Sequence, residues 1–181
     1  YKNVLKKNNV RVVSATEHIS DGSEGILLES VLEGMAEYYS AELAEKVTRG
    51  LTENALKCKF NGGTVPIGYV INKEQLFEID PLKAPWVLEA FKWYAKGKTI
   101  KEIVILLNAK GLTTSLGTKI SINIVTDMLK NRRYIGEYRF RNIVHDNGIP
   151  QIVPTDLFNK VQEQLQKNKK AAARHKAEDD Y

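Results

Sequence analysis

The sequence predicts a mainly α fold with small β elements (α+β), in which a long helix is followed by a domain containing a helix-turn-helix. Three observations carry that expectation. An apolar repeat of four residues runs from Val31 to Ala55, a cluster of turn residues (Gly62, Gly63, Pro66, Gly68) follows it, and a succession of capped helical periods begins near residue 80.

In chain order, Val10 to Thr16 is rich in β-branched residues between polar flanks and predicts a strand. Asp21-Gly22 marks a turn, and Ser23 is a candidate N-cap. A helix is then expected from about Ile26 to Lys57, with Val31, Met35, Tyr39, Leu43, Val47, Leu51 and Ala55 at spacings of four. On a helix of about 3.6 residues per turn such a repeat drifts by about 40° per step, so the stripe winds around the rod. Over about 30 residues the rod is roughly 45 Å long, more than one small body covers. Its first half is expected to pack on one body and its second half on a partner or another domain. Gly50 weakens the helix locally.

The segment from Cys58 to Tyr69 reads as an extended connector and the natural domain boundary. Short strands are expected at Val70–Ile71 and Leu76–Ile79 around an Asn72-Lys73 turn. A helix beginning at Asp80-Pro81 places Val87, Leu88, Phe91 and Tyr94 on one face and ends at Lys96-Gly97. Thr99 caps a second helix carrying Ile100, Ile103, Leu106 and Leu107, which Gly111 stops. Ser121 caps a third, with Ile122, Val125, Met128 and Leu129 inward and Asn123, Thr126, Asp127 and Lys130 outward. Tyr134 to Val144 reads as a strand or hairpin arm, Pro154-Thr155-Asp156 opens a last helix to about Lys167, and the tail from Asn168 is charged and of low complexity.

Composition narrows the classes of function. In 181 residues, 43% hydrophobic, there is enough apolar material for a core, yet no run approaches the roughly 18 residues of a membrane span. A lone cysteine, Cys58, excludes an internal disulfide and a Cys-rich zinc site, so a reducing, cytoplasmic setting is expected. The opening Tyr1-Lys2-Asn3 carries neither an initiator Met nor a signal pattern, as in a piece of a longer protein. The net charge of +5 is uneven: residues 1–56 hold 6 Lys/Arg against 9 Asp/Glu, and residues 57–181 hold 21 against 13. An excess of +8 confined to the second part suits a polyanion such as DNA, RNA or a membrane surface, and equally a solvated basic face.

The helices at 99–110 and 121–131 form a helix-turn-helix pattern, although the connection from Gly111 to Ile120 exceeds the usual 3–4 residues. Outward Asn123, Thr126 and Lys130 are of the types that reach base edges in a major groove. Lys130, Arg132, Arg133, Arg139 and Arg141 fall within twelve residues against one acid, Glu137, a density suited to phosphate neutralisation. Alternating arginines are also found on plain solvated strand edges. Lys57 and Lys59 flank the Gly-rich connector, which suits either a basic arm in a minor groove or a flexible linker. Arg49 and Lys119 complete the candidate cations. Catalytic signals are absent: His18, His145 and His175 stand far apart, and Glu37, Glu42 and Glu45 read as a solvated helix face. Lysines on both sides of Cys58 are of the kind that lowers a thiol pKa, but Cys58 reads first as a lone incidental thiol. No metal or cofactor is expected.

Taken together and in this order, several segments resemble the large serine recombinases, the group containing serine integrases and transposon-borne resolvases. VRVVSATE, Gly25-Ile26-Leu27, Ala36-Glu37 and Glu45-Lys46-Val47-Thr48-Arg49-Gly50-Leu51 are similar to the end of the resolvase catalytic domain and its long dimerisation helix. Gly62-Gly63-Thr64-Val65-Pro66-Ile67-Gly68-Tyr69 resembles the family's GG-x-x-P-x-GY entry to the recombinase domain. LLNAKGLTT (106–114), Ser121 with Val125, MLKNRRYIGEY (128–138) and VPTDLFNKVQEQL (153–165) continue the match. Tyr38, Tyr39 and Ser40 stand where the family often has an acid and an arginine, and Lys46 where arginine is usual.

The resemblance implies a catalytic-domain remnant at 1–25, a linking and dimerisation helix at 26–57, a connector at 58–69, a recombinase DNA-binding domain at 70–168 and a tail at 169–181. It implies double-stranded DNA as partner, homodimers or homotetramers through the long helix in the parent protein, and roles in integration or excision of mobile elements. In the family, a serine attacks a phosphodiester, leaving a 5′-phosphoserine and a free 3′-hydroxyl that later religates, so no nucleotide cofactor is needed. Arg11 precedes Ser14 by three residues rather than the two of the family's Tyr-x-Arg-x-Ser strand, so Ser14 is not expected to be that nucleophile, which is expected upstream. The alternatives are a non-catalytic helix-turn-helix regulator and a protein-interaction module built on the long helix.

Overall fold

The structure, a computed structural model, describes residues 2–10 and 22–168. Arg11 to Thr16 of the expected strand, Ser14 among them, and the tail beyond Asn168 lie outside the described residues. The chain divides into two compact units, Tyr1–Leu51 and Thr52–Tyr181.

The first unit holds α1 (Lys2–Lys7), which the sequence reading does not anticipate, and most of α2 (Ser23–Leu56). Ser23 is not the cap but the first helical residue. The Gly22 carbonyl accepts from the N–H groups of Gly25 and Ile26, so Gly22 occupies the capping position, which glycine tolerates at little cost. The four-residue repeat of Val31, Met35, Tyr39, Leu43 and Val47 is between 48% and 62% exposed.

The second unit is built on four helices: α3 (Ala84–Ala95), α4 (Ile100–Ala109), α5 (Ile122–Lys130) and α6 (Thr155–Lys167). α3 packs on both α4 and α6, and α5 packs on both α4 and α6. Their shared core holds Val87, Ala90, Phe91, Tyr94, Ile103, Leu107, Val125, Met128, Leu129, Phe158 and Val161, and Ala55 of α2 joins it. Each fully buried side chain of Leu or Phe size contributes about 1.5–3 kcal/mol through removal from water.

Local chemistry sets the helix limits. Asp80 accepts from the N–H groups of Leu82 and Lys83, closing a turn ahead of α3, so α3 starts at Ala84 and not at Asp80. Thr99 and Glu102 form a reciprocal capping box at α4, and the Ser121 hydroxyl caps α5 by accepting from the Ile124 N–H. Ile122, expected inward, is 45% exposed. It lies in the first turn of α5, where spacing fixes the direction of a side chain but not whether a neighbour reaches it.

Two antiparallel hairpins complete the unit. β1 (Tyr69–Ile71) pairs with β2 (Phe77–Ile79), and β3 (Tyr138–Phe140) pairs with β4 (Ile143–His145) in the register Tyr138↔His145 to Phe140↔Ile143. Tyr134 is not part of the strand. It sits in a 3₁₀ turn over Arg132–Ile135, capped by the Asn131 side chain and ended by Gly136 in the left-handed region.

Candidate nucleic-acid interface

α5 is nine residues, about 14 Å of helix, and an α-helix about 10–12 Å across with its side chains fits a major groove about 12 Å wide. Its setting relative to α4 is fixed by side-chain chemistry rather than by a short turn. The Asn108 amide donates to the Ile120 carbonyl at 2.8 Å while its oxygen accepts from the Ile120 N–H at 3.0 Å. The intervening loop closes on itself through the Thr113↔Lys119 bridge and a Thr114–Thr118 hydroxyl contact of 2.8 Å. The long connection is therefore an ordered hairpin-like loop. Of the outward residues, Asn123, Asp127 and Lys130 are exposed. Thr126 is half-buried and donates its hydroxyl proton to the Ile122 carbonyl at 2.8 Å, leaving it only as an acceptor for a ligand.

The chain leaves α5 at Lys130 and passes through the 3₁₀ turn into β3. That path brings Lys130, Asn131, Arg132, Arg133, Glu137 and Arg139 around one open cleft of about 340 Å3. Asn131 shapes it by accepting from the Arg133 N–H at 3.1 Å. Lys130 and Arg139 are exposed, and neither has a protein ion-pair partner among the described residues. The Arg132 Nε donates to the Glu137 carboxylate, which is 8% exposed. Arg133 is half-buried, its guanidinium 5.9 Å from the centroid of the Phe77 ring.

The other candidate cations do not line this cleft. Arg141 is exposed at the β3–β4 turn with φ +49°, outside the alternation expected of it, and its guanidinium lies 5.4 Å from the Phe140 ring centroid. Lys119 is exposed in the loop before α5, and Lys57 is exposed just after α2. Lys59 is half-buried, and Arg49 is exposed in the first unit.

The connector is held to the second unit by tyrosines that sequence reasoning did not single out. The Tyr138 hydroxyl donates to the Lys59 carbonyl at 2.7 Å, and that of Tyr134 donates to the Ile67 carbonyl at 3.0 Å. The single hydroxyl proton of Tyr69 is shared between the carbonyls of Arg133 and Pro150, 3.0 and 2.8 Å from its oxygen. Burial pushes all three phenols above their ordinary pKa, so they remain protonated donors throughout the physiological range. Gly68, at φ +91°, passes so close to α3 that an added Cβ would lie 3.1 Å from Val87 Cγ2 and 3.3 Å from Ala84 Cα. Gly62, Gly63 and Thr64 are exposed. Burial pushes the Cys58 thiol above its ordinary pKa, away from an activated thiolate. A sequence signal for the 3₁₀ turn existed in Asn131 followed by Gly136, a cap and a stop with four residues between them. Nothing comparable marks Tyr134 or Tyr138 as donors, since their acceptors lie 67 and 79 residues away.

Residues 81–168 match a family model described as Recombinase. No curated protein matches the chain. Among solved structures, one described as "Crystal Structure of a LSR-DNA Complex" is similar over 71% of this chain and 42% of its own, at 16% identity and a TM-score of 0.55. A second, described as "Sequence Requirements of the Listeria innocua prophage attP site", is similar over 71% of this chain and 57% of its own, at 15% identity and a TM-score of 0.55. The chain thus spans about half the length of the solved proteins it resembles. Among the described residues no helix is long and apolar enough to cross a membrane. Residues 81–168 are therefore similar to the Recombinase family model, and the fold is shared with the solved LSR–DNA complex.

Proposed function

We propose that this chain is the DNA-binding part of a large serine site-specific recombinase. α5 enters the major groove and presents Asn123 to base edges, while the cleft beyond its C-terminal end grips the phosphate backbone. The connector with Lys57, Lys59 and exposed Gly62–Gly63 crosses the neighbouring minor groove, Lys119 and Arg141 add flanking phosphate contacts, and Arg49 of the long helix is assigned a phosphate contact of its own. The single observation that carries this reading is the convergence of Lys130, Arg132, Arg133 and Arg139 on one cleft directly after the second helix of a helix-turn-helix. Four cations against the single carboxylate of Glu137 leave a net positive cleft, which suits a polyanion because each neutralised phosphate releases counterions. Similarity to an LSR–DNA complex supports the same reading.

Strand cleavage through a phosphoserine is assigned to the parent protein and to no residue of this chain. The exposed stripe on α2 is assigned to self-association in the parent, since apolar side chains at Val31, Met35, Tyr39, Leu43 and Val47 are costly to leave in water.

The test is duplex binding by the 181-residue chain as a function of salt. Lys130 and Arg139 have no ion-pair partner among the described residues, so the double variant K130A/R139A is the cleanest. Losing two phosphate contacts flattens the log–log salt dependence by about 1.8. Asn123→Ala is expected to blunt sequence preference with the slope unchanged. Unchanged affinity and slope in K130A/R139A would refute the assignment.

A further inference from the structure

Glu137 is an anomaly in a cleft built for anions. It is 8% exposed, it lines the same cavity as four cations, and the Arg132 Nε donates to it. A carboxylate is costly to bury and is tolerated here because it is paired. The pairing leaves only the two terminal nitrogens of Arg132 for a ligand and fixes the plane in which they lie. Arg132 itself is 59% exposed by side chain, so its outer edge remains open to the cleft. An arginine free to swing accepts a phosphate anywhere within reach of its long side chain, whereas one whose Nε is anchored accepts it in one position. The carboxylate also cancels one positive charge in the cleft, and so competes with the DNA for the cations.

We infer that Glu137 is a positioning residue of the phosphate grip. It aims Arg132 at a single backbone position and holds down the affinity of the cleft for DNA in any other register. Phosphate contacts set register rather than read sequence, so a fixed Arg132 raises discrimination indirectly, by favouring the docking in which α5 meets its own site. This inference rests on the DNA-binding reading above.

Two substitutions separate aim from charge. Glu137→Gln removes the charge and keeps an oxygen to accept from the Arg132 Nε. Glu137→Met has similar volume and removes both. The probes are a random-sequence duplex and a duplex selected from a random pool by the unaltered chain. Both variants are expected to bind the random duplex more tightly and to steepen its log–log salt slope by about 0.9. The ratio of selected to random affinity is expected to fall on the order of tenfold in E137M, one misplaced contact's worth, and to be retained in E137Q. In the R132A background, E137M and E137Q are expected to give the same ratio.

An E137M chain with unchanged slope and ratio, or an E137Q chain as indiscriminate as E137M, would overturn the inference. A difference between the two that persists in the R132A background would also overturn it, because Glu137 would then not be acting through Arg132. K130A/R139A, run beside them, tells the two levels apart. If it weakens binding while the Glu137 variants behave as the unaltered chain, only the positioning role is lost. If it too is without effect, the DNA-binding reading goes with it.

Discussion

Removing one oxygen atom, in Tyr134→Phe, is expected to destabilise the second unit by about 2 kcal/mol. Tyr134 is 1% exposed and its hydroxyl donates to the carbonyl of Ile67, itself 8% exposed, at 3.0 Å. The ring is untouched by the change. It keeps its stack on Tyr69, 5.8 Å between centroids, and its edge contact with Phe91, also 5.8 Å. What is lost is a buried donor, and the penalty is that of a carbonyl left dry and unpaired, about 1–3 kcal/mol. For a unit of this size, about 4 °C of melting temperature corresponds to each kcal/mol, so the midpoint should fall by roughly 8 °C. Tyr94→Phe is the matched control. Tyr94 is 4% exposed, and its hydroxyl only accepts a 3.3 Å bond from Asn168 at the end of α6, so its loss should cost about 0.5 kcal/mol or less. Thermal and urea denaturation followed by circular dichroism read both. If Tyr134→Phe and Tyr94→Phe melt together, the idea that phenol donors hold the connector in place is wrong.

Three further outcomes follow from single contacts. Gly68→Ala should be more damaging than Tyr134→Phe, about 3 kcal/mol, because a positive φ and a crowded Cβ act together; soluble yield and urea midpoint would show it, and a midpoint within 0.5 kcal/mol of the unaltered chain would contradict it. Cys58 should react with iodoacetamide near pH 8 more slowly than a free cysteine, because a raised pKa leaves less thiolate; mass spectrometry of timed samples measures this, and a rate at or above that of a model thiol would contradict it. The Glu102 carboxyl is held below its ordinary range by the backbone N–H and hydroxyl of Thr99, so its contribution is present at neutral pH and lost as pH falls. The stability gap between the unaltered chain and Glu102→Gln should therefore stand at pH 7, begin to narrow below about pH 4.3 and close as pH falls through the lowered pKa, as a denaturation series across that range would reveal.

Much of the second unit could be read from the sequence because its signals are local. Thr99 with Glu102 three residues on, Ser121 ahead of Val125, and Gly97 and Gly111 at helix ends are cap chemistry complete within a few residues. The cationic run from Lys130 to Arg141 was equally plain as composition. How it folds was not. Its division between a 3₁₀ turn and a strand turns on Asn131 and Gly136, and those decide that Arg132, Arg133 and Arg139 share a cleft while Arg141 sits at a hairpin turn over Phe140. Glu137 counted in the sequence as one negative charge in the region. Only the fold shows it buried against Arg132. Phenol-to-carbonyl bonds spanning 67 and 79 residues leave no periodic trace, and the stiffness they give to a Gly-rich segment could not be anticipated from its composition.

The tyrosines that fasten the connector, Tyr134 and Tyr138, alternate along the same ten residues that supply Arg132, Arg133 and Arg139. Anyone wishing to retarget such a module by transplanting residues 131–140 from a relative would also be replacing the anchor points of residues 59 and 67. The two stretches must travel as a matched pair, and chimaeras that exchange only one should lose stability before they gain a new preference.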